Sequence, residues 1–475
     1  AVALLGGRYC VCQGQLLLRD ARTLRWETNR KTVELAVLRE LTGMLLCKRE
    51  QGALKCVTRS DKVYNVLRLV LGHAPSDDEL LSRLYDETQG YLCFENGHYD
   101  FAAKAFVPEL REHLVGVPRA FPARVPAHVA EFQRRVLDTI FEGAPALRDA
   151  WLCYVARALA GDVSDKAWGV ALGPRNSGKG VLNKALQESF GRTSIMTFNA
   201  ESLCAPAGDD VDKSHGWLLQ LAHARLLISN ELDMTTGRDL NGNVLKRIAS
   251  GGDELTGRLL HCDAVPFRMS GRILLSVNDL PRCSPADALS TQTVFPFAFH
   301  FKAAHDPAEP GEDPALRRVG DADIKAYVAS AEARAAFAHI VLEAHGAMRA
   351  TRAMEEAQQE QHAEADQHEI FAQMIVVTGN RDDRILAKKF ASHARERLRG
   401  VSGRKALEWL RAARGANGEQ ATTGVQRRTT SGRPTFHEGV RFASEDGADH
   451  QVFLAAAEPS PRPAKRARAD AAPGR

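Results

Sequence analysis

A glycine-rich stretch with one lysine is the part of the sequence best suited to chemistry. Residues 167–184 read AWGVALGPRNSGKGVLNK, an apolar run followed by glycines and then by helical spacing. Glycines let backbone N–H groups turn towards phosphate oxygens, while a lysine and a helix N-terminus add positive charge. The stretch therefore predicts a strand, a phosphate-binding loop and a helix, with these loop residues around the phosphates: Gly173, Asn176, Ser177, Gly178, Lys179 and Gly180.

One position departs from the usual pattern of such loops. The Ser or Thr that ligates Mg²⁺ directly after the lysine is replaced by Gly180. This weakens the prediction of metal ligation by the loop, but Lys179 and the backbone still suit phosphate. The alternative is a glycine-rich strand-to-helix turn that holds no ligand.

A second, mainly apolar run, residues 224–229, is followed by NELD, which contains two acids after one asparagine. Open parallel sheets bind ligands at the carboxyl ends of their strands. An NTPase needs a carboxylate there to hold Mg²⁺ and to orient the attacking water. Glu231 is the first candidate for the catalytic and metal-holding carboxylate, and Asp233 is the second candidate for the metal. Asn230 stands where a second acid would help, and a solvated strand-end acid is the alternative.

A third apolar run, residues 272–277, ends in Asn278, whose amide could contact a γ-phosphate or the attacking water. The residues before this run predict a helix, a Gly-Gly turn and a hairpin. The hairpin carries Arg258, His261 and Arg268, cations that could bind a phosphate backbone beside the nucleotide. A plain surface hairpin is the alternative.

The alternation of strands and helices between residues 166 and 301 predicts a parallel-sheet α/β domain. Strands are expected at SIMTF, ARLLIS, RILLSVN and VFPFAFHF. Upstream, residues 79–120 predict a helix and a strand pair around an Asn96-Gly97 turn. Two amphipathic helices follow. The second one is expected to bury one face, which holds Leu147, Trp151, Tyr154, Val155, Ala158 and Leu159.

Downstream of the α/β domain, helices, a loop-like stretch at 415–434 and a strand pair formed by TFHEGVRFAS and HQVFLAAA suggest a winged-helix-like module. The expected division is an N-terminal region, a helical collar, a phosphate-loop domain, a helical extension, the winged-helix-like module and a disordered basic tail. These correspond to residues 1–126, 127–162, 163–304, 305–369, 370–457 and 458–475.

Composition sets further bounds. The 475 residues carry a net charge of +4, and residues 459–475 hold five basic residues and one acid, so any nucleic-acid contact elsewhere needs local patches. The tail is expected to act as an address or a charge tether, and it resembles a nuclear-import signal.

No apolar run approaches the ~18 residues of a membrane span, and no signal peptide opens the chain. The chain starts at Ala1, which suggests a piece of a longer polypeptide.

Nine cysteines, without a secretion signal, favour reduced thiols in an intracellular compartment. Cys10 and Cys12, with Cys47 and Cys56, could bind zinc. Their spacing fits no standard ligand pattern, which favours buried thiols.

The order of the motifs resembles that of superfamily 3 helicases of the AAA+ class, most closely the poxvirus-type helicase half of the primase-helicases of large DNA viruses and some phages. That family's Lys-x(3)-Ser-Gly-Gly-Asp segment is matched by Lys246, Ser250, Gly251, Gly252 and Asp253. Upstream, FENGHYDF resembles the strand pair of its N-terminal helicase-associated domain, and the likeness covers roughly residues 85–345.

The resemblance implies a ring-forming motor, because members of that family form homo-hexamers around single-stranded or forked DNA and use ATP and Mg²⁺. It assigns phosphate binding to Lys179, catalysis to Glu231, and the sensor 1 role to Asn278. Lys246 and the segment after Gly252 would reach DNA in the channel. It also implies a primase domain or subunit as partner, and a viral replication site in the host nucleus or cytoplasm.

The sequence departs from the family at the arginine finger, which usually precedes the last strand. Here the stretch reads ADALSTQTVFPF and has no arginine. Arg282 could substitute, Arg317 or Arg318 could do so, or hydrolysis could be impaired. Two other functions stay open: a nucleotide kinase, and an ATP-binding DNA loader or decayed relic with little hydrolysis.

Overall fold

The computed structural model describes residues 7–42, 47–50, 53–56, 72–204, 216–229, 239–258, 264–306, 313–380, 382–398, 401–414, 420–426, 435–443 and 453–454. The described residues form two compact units. The first contains those up to residue 229 and from 240 to 360, and the second contains Asp239 and those from 361 onward. No helix in these ranges is long and apolar enough to cross a membrane.

The N-terminal region consists of small antiparallel sheets and two helices. Its elements are β1 (Tyr9–Cys12), β2 (Gln15–Arg19), β3 (Trp26–Glu27), α1 (Arg30–Thr42), β4 (Cys47–Glu50), β5 (Ala53–Cys56), α2 (Leu80–Glu87), β6 (Tyr91–Phe94), β7 (Gly97–Asp100) and β8 (Ala105–Val107). The predicted Asn-Gly turn is confirmed, because Phe94 pairs with Gly97 across it. A Cβ atom on Gly97 would lie 2.3 Å from the Val107 carbonyl oxygen, so this close approach requires glycine.

Two helical segments follow, each opened by a proline in its first turn, where the missing N–H costs no hydrogen bond. The first runs through α3 (Pro126–Phe132), a π-helical turn (Gln133–Leu137) and α4 (Asp138–Ile140), and the second is α5 (Pro145–Ala160). All six residues predicted for the buried face of α5 are buried. The expectation of a single buried face was wrong, since Ala150, Leu152, Cys153, Ala156 and Ala160 are buried as well.

The reason for this all-round burial is that α5 packs on several sides. It contacts strand β6 of the N-terminal region, and the Tyr154 hydroxyl donates to the Ile273 carbonyl oxygen in the central sheet at 2.6 Å. A later helix, Ala331–Glu343, also packs against it. A helix enclosed in this way needs apolar residues around its whole circumference.

The centre of the first unit is a five-stranded parallel sheet, as predicted. Its strands are β9 (Trp168–Leu172), β10 (Ile195–Phe198), β11 (Leu226–Ser229), β15 (Arg272–Val277) and β17 (Gln292–Pro296), in the order β10-β11-β15-β9-β17. Every pairing between neighbours is parallel. Most of the strand residues are buried, which explains their continuous apolar runs. The strand that ends before Asn278 therefore lies directly beside the strand that ends at the phosphate loop.

Between the sheet strands lie α6 (Lys179–Phe190), a 3₁₀ turn (Ala200–Cys204), α7 (Gly216–Leu219), β12 (Leu240–Asn241), α8 (Gly242–Ala249), β13 (Leu255–Gly257), β14 (Val265–Phe267), β16 (Cys283–Ser284) and a 3₁₀ turn (Ala286–Thr291). The Asn241 side chain caps α8 by accepting from the N–H groups of Asn243 and Val244. The predicted hairpin is confirmed, because β13 and β14 pair antiparallel.

VFPFAFHF was expected to be one strand, and the structure divides it into two. β17 ends at Pro296 on an edge of the sheet, where a residue without an N–H is tolerated. β18 (His300–Lys302) then pairs with β19 (Arg317–Val319), which follows a 3₁₀ turn (Pro314–Leu316). The first unit closes with α9 (Ile324–Tyr327) and α10 (Ala331–Glu343).

Helix α11 (Arg352–Met374) begins in the first unit and ends in the second. The second unit continues with β20 (Ile375–Val377), β21 (Arg384–Leu386), α12 (Ala387–Arg397), α13 (Gly403–Ala412), β22 (Ala413–Arg414), β23 (Thr422–Gln426), β24 (Thr435–Glu438), β25 (Val440–Phe442) and β26 (Phe453–Leu454). Its core is formed by Phe371, Phe390, Trp409, Leu410 and Val440 with smaller residues.

The expected strand pairing in the second unit was wrong. TFHEGVRFAS forms two strands, of which β24 pairs with β21 and β23, and β25 pairs with β20. Strand β23 lies inside the stretch that was expected to be a loop. The short strand β26 pairs with β22 instead. The second unit thus combines helices with a three-stranded sheet. The winged-helix-like arrangement of these elements stays a prediction.

Candidate functional site

The phosphate loop leaves β9 and enters α6 through backbone conformations that glycine favours. Gly178 has φ +93° and directly precedes the helix, and Asn176 has φ +59°. A Cβ atom on Gly178 would lie 2.8 Å from Ile140, and one on Gly173 would lie 2.4 Å from the Phe297 carbonyl oxygen. The positive φ of Gly178 and the close packing against Ile140 and Phe297 therefore make the loop a tight, glycine-dependent turn at the carboxyl end of β9.

Lys179 is folded against this loop and is only 8% exposed. Its ammonium donates to the carbonyl oxygens of Gly173 and Pro174, the latter at 3.0 Å, and to the Ser177 hydroxyl at 3.2 Å. It also lies 3.4 Å from Oδ1 of Asn278. The structure thus brings together four of the predicted site residues from two separate elements.

The start of α6 suits an anion. The helix begins at Lys179, and no side chain caps its first turn. Uncapped N–H groups, the positive end of the helix dipole and a lysine together favour phosphate oxygens. The residues present therefore fit a nucleotide phosphate group. Gly180 is exposed, and no atom lies within 4 Å of the place where its Cβ would be.

A small polar group lies beneath the loop, and sequence reasoning missed it. Asn183 donates through Nδ2 to the Ser276 hydroxyl at 3.3 Å, and the Ser276 N–H donates to the Ser229 hydroxyl at 2.9 Å. These contacts join α6, β15 and β11 near the carboxyl ends of the two strands. The helical period is the sequence signal that could have identified Asn183, because this residue lies one turn after Lys179 on the same helix face.

Three predicted residues lie outside the described part of the chain, namely Glu231, Asp233 and His261. Strand β11, which leads towards the two acids, ends at Ser229 and pairs in parallel with β10 and β15. The tail from residue 458 also lies outside the described residues. The roles of these residues stay predictions.

The predicted DNA-contacting cations lie on α8 and the β13–β14 hairpin. Lys246 forms an ion pair with Asp287 at 2.8 Å. Arg268 lies 3.6 Å from Asp86 and 5.9 Å from the ring centroid of Tyr85. Arg258 directly follows β13. Two of these cations are therefore held by carboxylates of the same chain.

The three candidates for the arginine finger have different surroundings. Arg282 is half-buried, and its carbonyl oxygen accepts from the Leu240 N–H at 2.8 Å. The Arg317 guanidinium donates to the Asp306 carbonyl oxygen at 2.5 Å. Arg318 pairs with Glu142 at 2.5 Å and lies 4.1 Å from the ring centroid of Phe299.

At the opposite edge of the sheet, a network of charges joins α5 to the central strands. Arg157 pairs with Asp162 at 2.7 Å and with Asp165 at 2.9 Å, and Arg272 pairs with Asp165 at 2.8 Å. Burial by itself raises the pKa of Asp162, but hydrogen bonds from Arg157 and Ser164 outweigh it and lower that pKa to about 2. The network has a structural role, since it lies at the amino ends of β9 and β15.

No group of three or more His, Cys, Asp or Glu side chains within the described ranges could hold a metal ion. Cys10 and Cys12 are buried, and burial raises the pKa of both thiols. The burial of Cys10 and Cys12 agrees with the prediction of buried thiols, and the side chains of Cys47 and Cys56 lie outside the described part of the chain.

The fold and the site define an α/β protein with a phosphate-loop-like turn at the carboxyl edge of a parallel sheet. No protein-family model matches the chain. Over 355 residues it is 27% identical to "Putative helicase V13" of Sputnik virophage, and the alignment covers 71% of this chain and 43% of that protein. The chain thus spans less than half the length of this viral relative.

Solved structures of the C-terminal region of NrS-1, in the apo form, are also similar. For one of them the TM-score is 0.43 at 11% identity, and the alignment covers 92% of this chain and 98% of the chain in that structure. Another has a TM-score of 0.42 at 10% identity, with the same coverage of both chains.

Proposed function

We propose that this chain is an ATP-dependent DNA helicase motor of viral-type genome replication, of the superfamily 3 kind. It forms a ring, taken as a homo-hexamer, and moves along single-stranded DNA. The observation that carries the proposal is the contact between Lys179 and Asn278 at the carboxyl edge of the parallel sheet. The sequence similarity to a viral protein that is named as a helicase supports the choice of substrate.

In this proposal the loop residues and the first turn of α6 bind the phosphates of ATP. Lys179 turns from the loop carbonyl groups to the phosphate oxygens, which replace Gly173 and Pro174 as acceptors. Mg²⁺ would neutralise phosphate charge, with Glu231 and Asp233 as the carboxylates that hold it. Glu231 orients the attacking water, and Asn278 senses the γ-phosphate.

DNA is contacted by α8 and the β13–β14 hairpin, through Lys246, Arg258, His261 and Arg268. Their cations bind the phosphate backbone without reading bases. A primase domain or subunit is the expected partner. A weakly hydrolysing ATP-binding loader is the second candidate, because Gly180 provides no hydroxyl for a metal ion.

The test is the ATPase activity of the purified chain with and without single-stranded DNA. The wild type should hydrolyse ATP faster when DNA is present. Lys179→Ala should lose nucleotide binding, whereas Glu231→Gln should bind ATP and fail to turn it over. ATP binding without turnover in the wild type would favour the loader. Absence of ATP binding in the wild type would contradict both functions.

A further inference from the structure

Helix α12 of the second unit has one buried face and one strongly basic face. Phe390 and Ala394 pack into the core of the unit. Lys388, Ser392 and Arg395 are exposed and follow one another at intervals of four and three residues, which places them in one row along the helix. Lys389 is exposed beside this row. We name the surface formed by Lys388, Lys389, Ser392 and Arg395 the α12 basic face.

Basic residues outnumber acids on this helix, because α12 carries four Lys or Arg and one acid, Glu396. Residues 382–414 contain ten Lys or Arg and four Asp or Glu, a net charge of +6 against +4 for the whole chain. Within the described ranges, Lys388, Lys389 and Arg395 form no ion pair. By contrast, Arg404, the first cation of α13, lies 3.6 Å from Glu408.

Helix stability does not explain the two lysines. Lys388 and Lys389 lie in the first turn of α12, which contains no acidic residue. The positive end of the helix dipole disfavours cations at this place. Both side chains are exposed, so burial in the core does not account for them either. An external polyanion would relieve the unfavourable charge.

The spacing of the cations suits a phosphate backbone. Lys388 and Arg395 are seven residues apart, about 10 Å along a helix with a rise of ~1.5 Å per residue. One DNA strand carries a phosphate every ~3.4 Å along the duplex axis, so the row spans about three phosphates. Ala391 and Ser392 lie between the cations and are small and exposed, which lets a phosphate chain approach the helix closely.

We propose that the α12 basic face is a second DNA-binding surface, which contacts the phosphate backbone without reading the sequence. Its residues are different from those of α8 and the β13–β14 hairpin, which are proposed above to contact DNA. The proposal rests on the proposed function for DNA as the polyanion, but it does not depend on ATP chemistry.

The experiment compares the full-length chain with the triple variant Lys388→Ala, Lys389→Ala and Arg395→Ala. Binding to a single-stranded oligonucleotide and to a duplex is titrated over a series of salt concentrations. Loss of three phosphate contacts should reduce the slope of log affinity against log salt by about 2 for a single strand and by roughly 3 for a duplex. A reduced slope in either arm supports the proposal and identifies the bound form.

A matched control removes the same charge elsewhere, through Lys325→Ala, Arg349→Ala and Arg352→Ala, which are exposed cations of other helices and loops. The control should keep the wild-type slope. Unchanged slopes in both arms of the triple variant would overturn the proposal, and so would an equal reduction in the control. DNA-independent ATPase activity and the melting temperature of the triple variant should not fall, so folding and the ATP site are monitored separately.

Discussion

The ammonium of Lys179 lies 3.4 Å from Oδ1 of Asn278, although the two residues are 99 positions apart in the chain. The contact joins the first residue of α6 to the residue that follows β15. It exists because β15 lies between β11 and β9 in the sheet, directly beside the strand that leads to the phosphate loop. A phosphate group that binds Lys179 therefore also changes the surroundings of Asn278.

Replacing Asn278 should separate binding from hydrolysis. Asn278→Ala removes an acceptor of Lys179 but leaves the loop carbonyl groups, so ATP affinity should change little. Turnover should fall by roughly 10², as for the loss of one positioned polar group at a reacting centre. Nucleotide titration and steady-state ATPase assays measure the two effects. An affinity loss as large as that of Lys179→Ala would contradict this division of roles.

The variant Gly180→Ser should fold normally and should need less Mg²⁺ for nucleotide binding. The position is exposed, helical and open, so a side chain fits, and serine is favoured over glycine in a helix by roughly 0.5 kcal/mol. The hydroxyl stands where phosphate loops place a metal ligand. The Mg²⁺ concentration for half-maximal nucleotide binding should fall. Gly180→Ala is the control, which fills the same space without a hydroxyl and should leave the Mg²⁺ requirement unchanged.

Arg282→Ala should keep ATP binding and assembly but lose hydrolysis, if Arg282 reaches the nucleotide of a neighbouring subunit. Arginine fingers are worth roughly 10³–10⁵ in rate. Mixing Arg282→Ala with Lys179→Ala subunits should restore some activity, because some interfaces then combine an intact loop with an intact arginine. The variant Arg317→Ala, which removes another candidate for the arginine finger, is measured in the same way for comparison. Full activity of the Arg282 variant, or a strict monomer by light scattering with ATP and DNA present, would contradict the prediction.

Asp287→Asn should increase the affinity for single-stranded DNA, because it releases Lys246 from its ion pair. The two side chains are 39% and 66% exposed, so the pair contributes at most ~1 kcal/mol and the gain should not exceed about fivefold. Fluorescence anisotropy at low salt measures it. Asp279→Asn, at another exposed acid, controls for the change of net charge. An equal gain in a Lys246→Ala background would show that the effect does not pass through Lys246.

The Arg157–Asp162 contact should stabilise the fold in a pH-dependent way. The pKa of Asp162 is lowered from 3.8 to about 2, so its stabilising contribution is complete above pH 3.8 and is lost as the pH falls towards 2. Asp162→Asn should lower the unfolding free energy at pH 7 by about 1–3 kcal/mol and flatten its decline between pH 4 and 2. Urea unfolding at several pH values tests this. Asp149→Asn, at an exposed ion pair, should change little.

Local chemistry made the phosphate loop and the hairpins predictable. The positive φ of Gly178 is a local requirement, and the spacing of glycines and lysine shows it within a few residues. The collisions of a Cβ atom on Gly173 or Gly178 are with Phe297 and Ile140, which are distant in the chain. The parallel sheet was predictable because strands buried on both faces form continuous apolar runs. The Asn96-Gly97 turn was predictable from its own two residues.

Long-range packing decided the rest. The strand order that places Asn278 beside Lys179, the all-round burial of α5 and the pairing of β24 with β21 and β23 each join segments distant in the chain. The pairings of Lys246 with Asp287 and of Arg272 with Asp165 belong to the same class. The sequence by itself determined which residues could bind phosphate, since backbone sterics act locally. Only the tertiary structure decided which side chains meet them, because many pairings satisfy the same apolar pattern and the packing of the whole unit selects one.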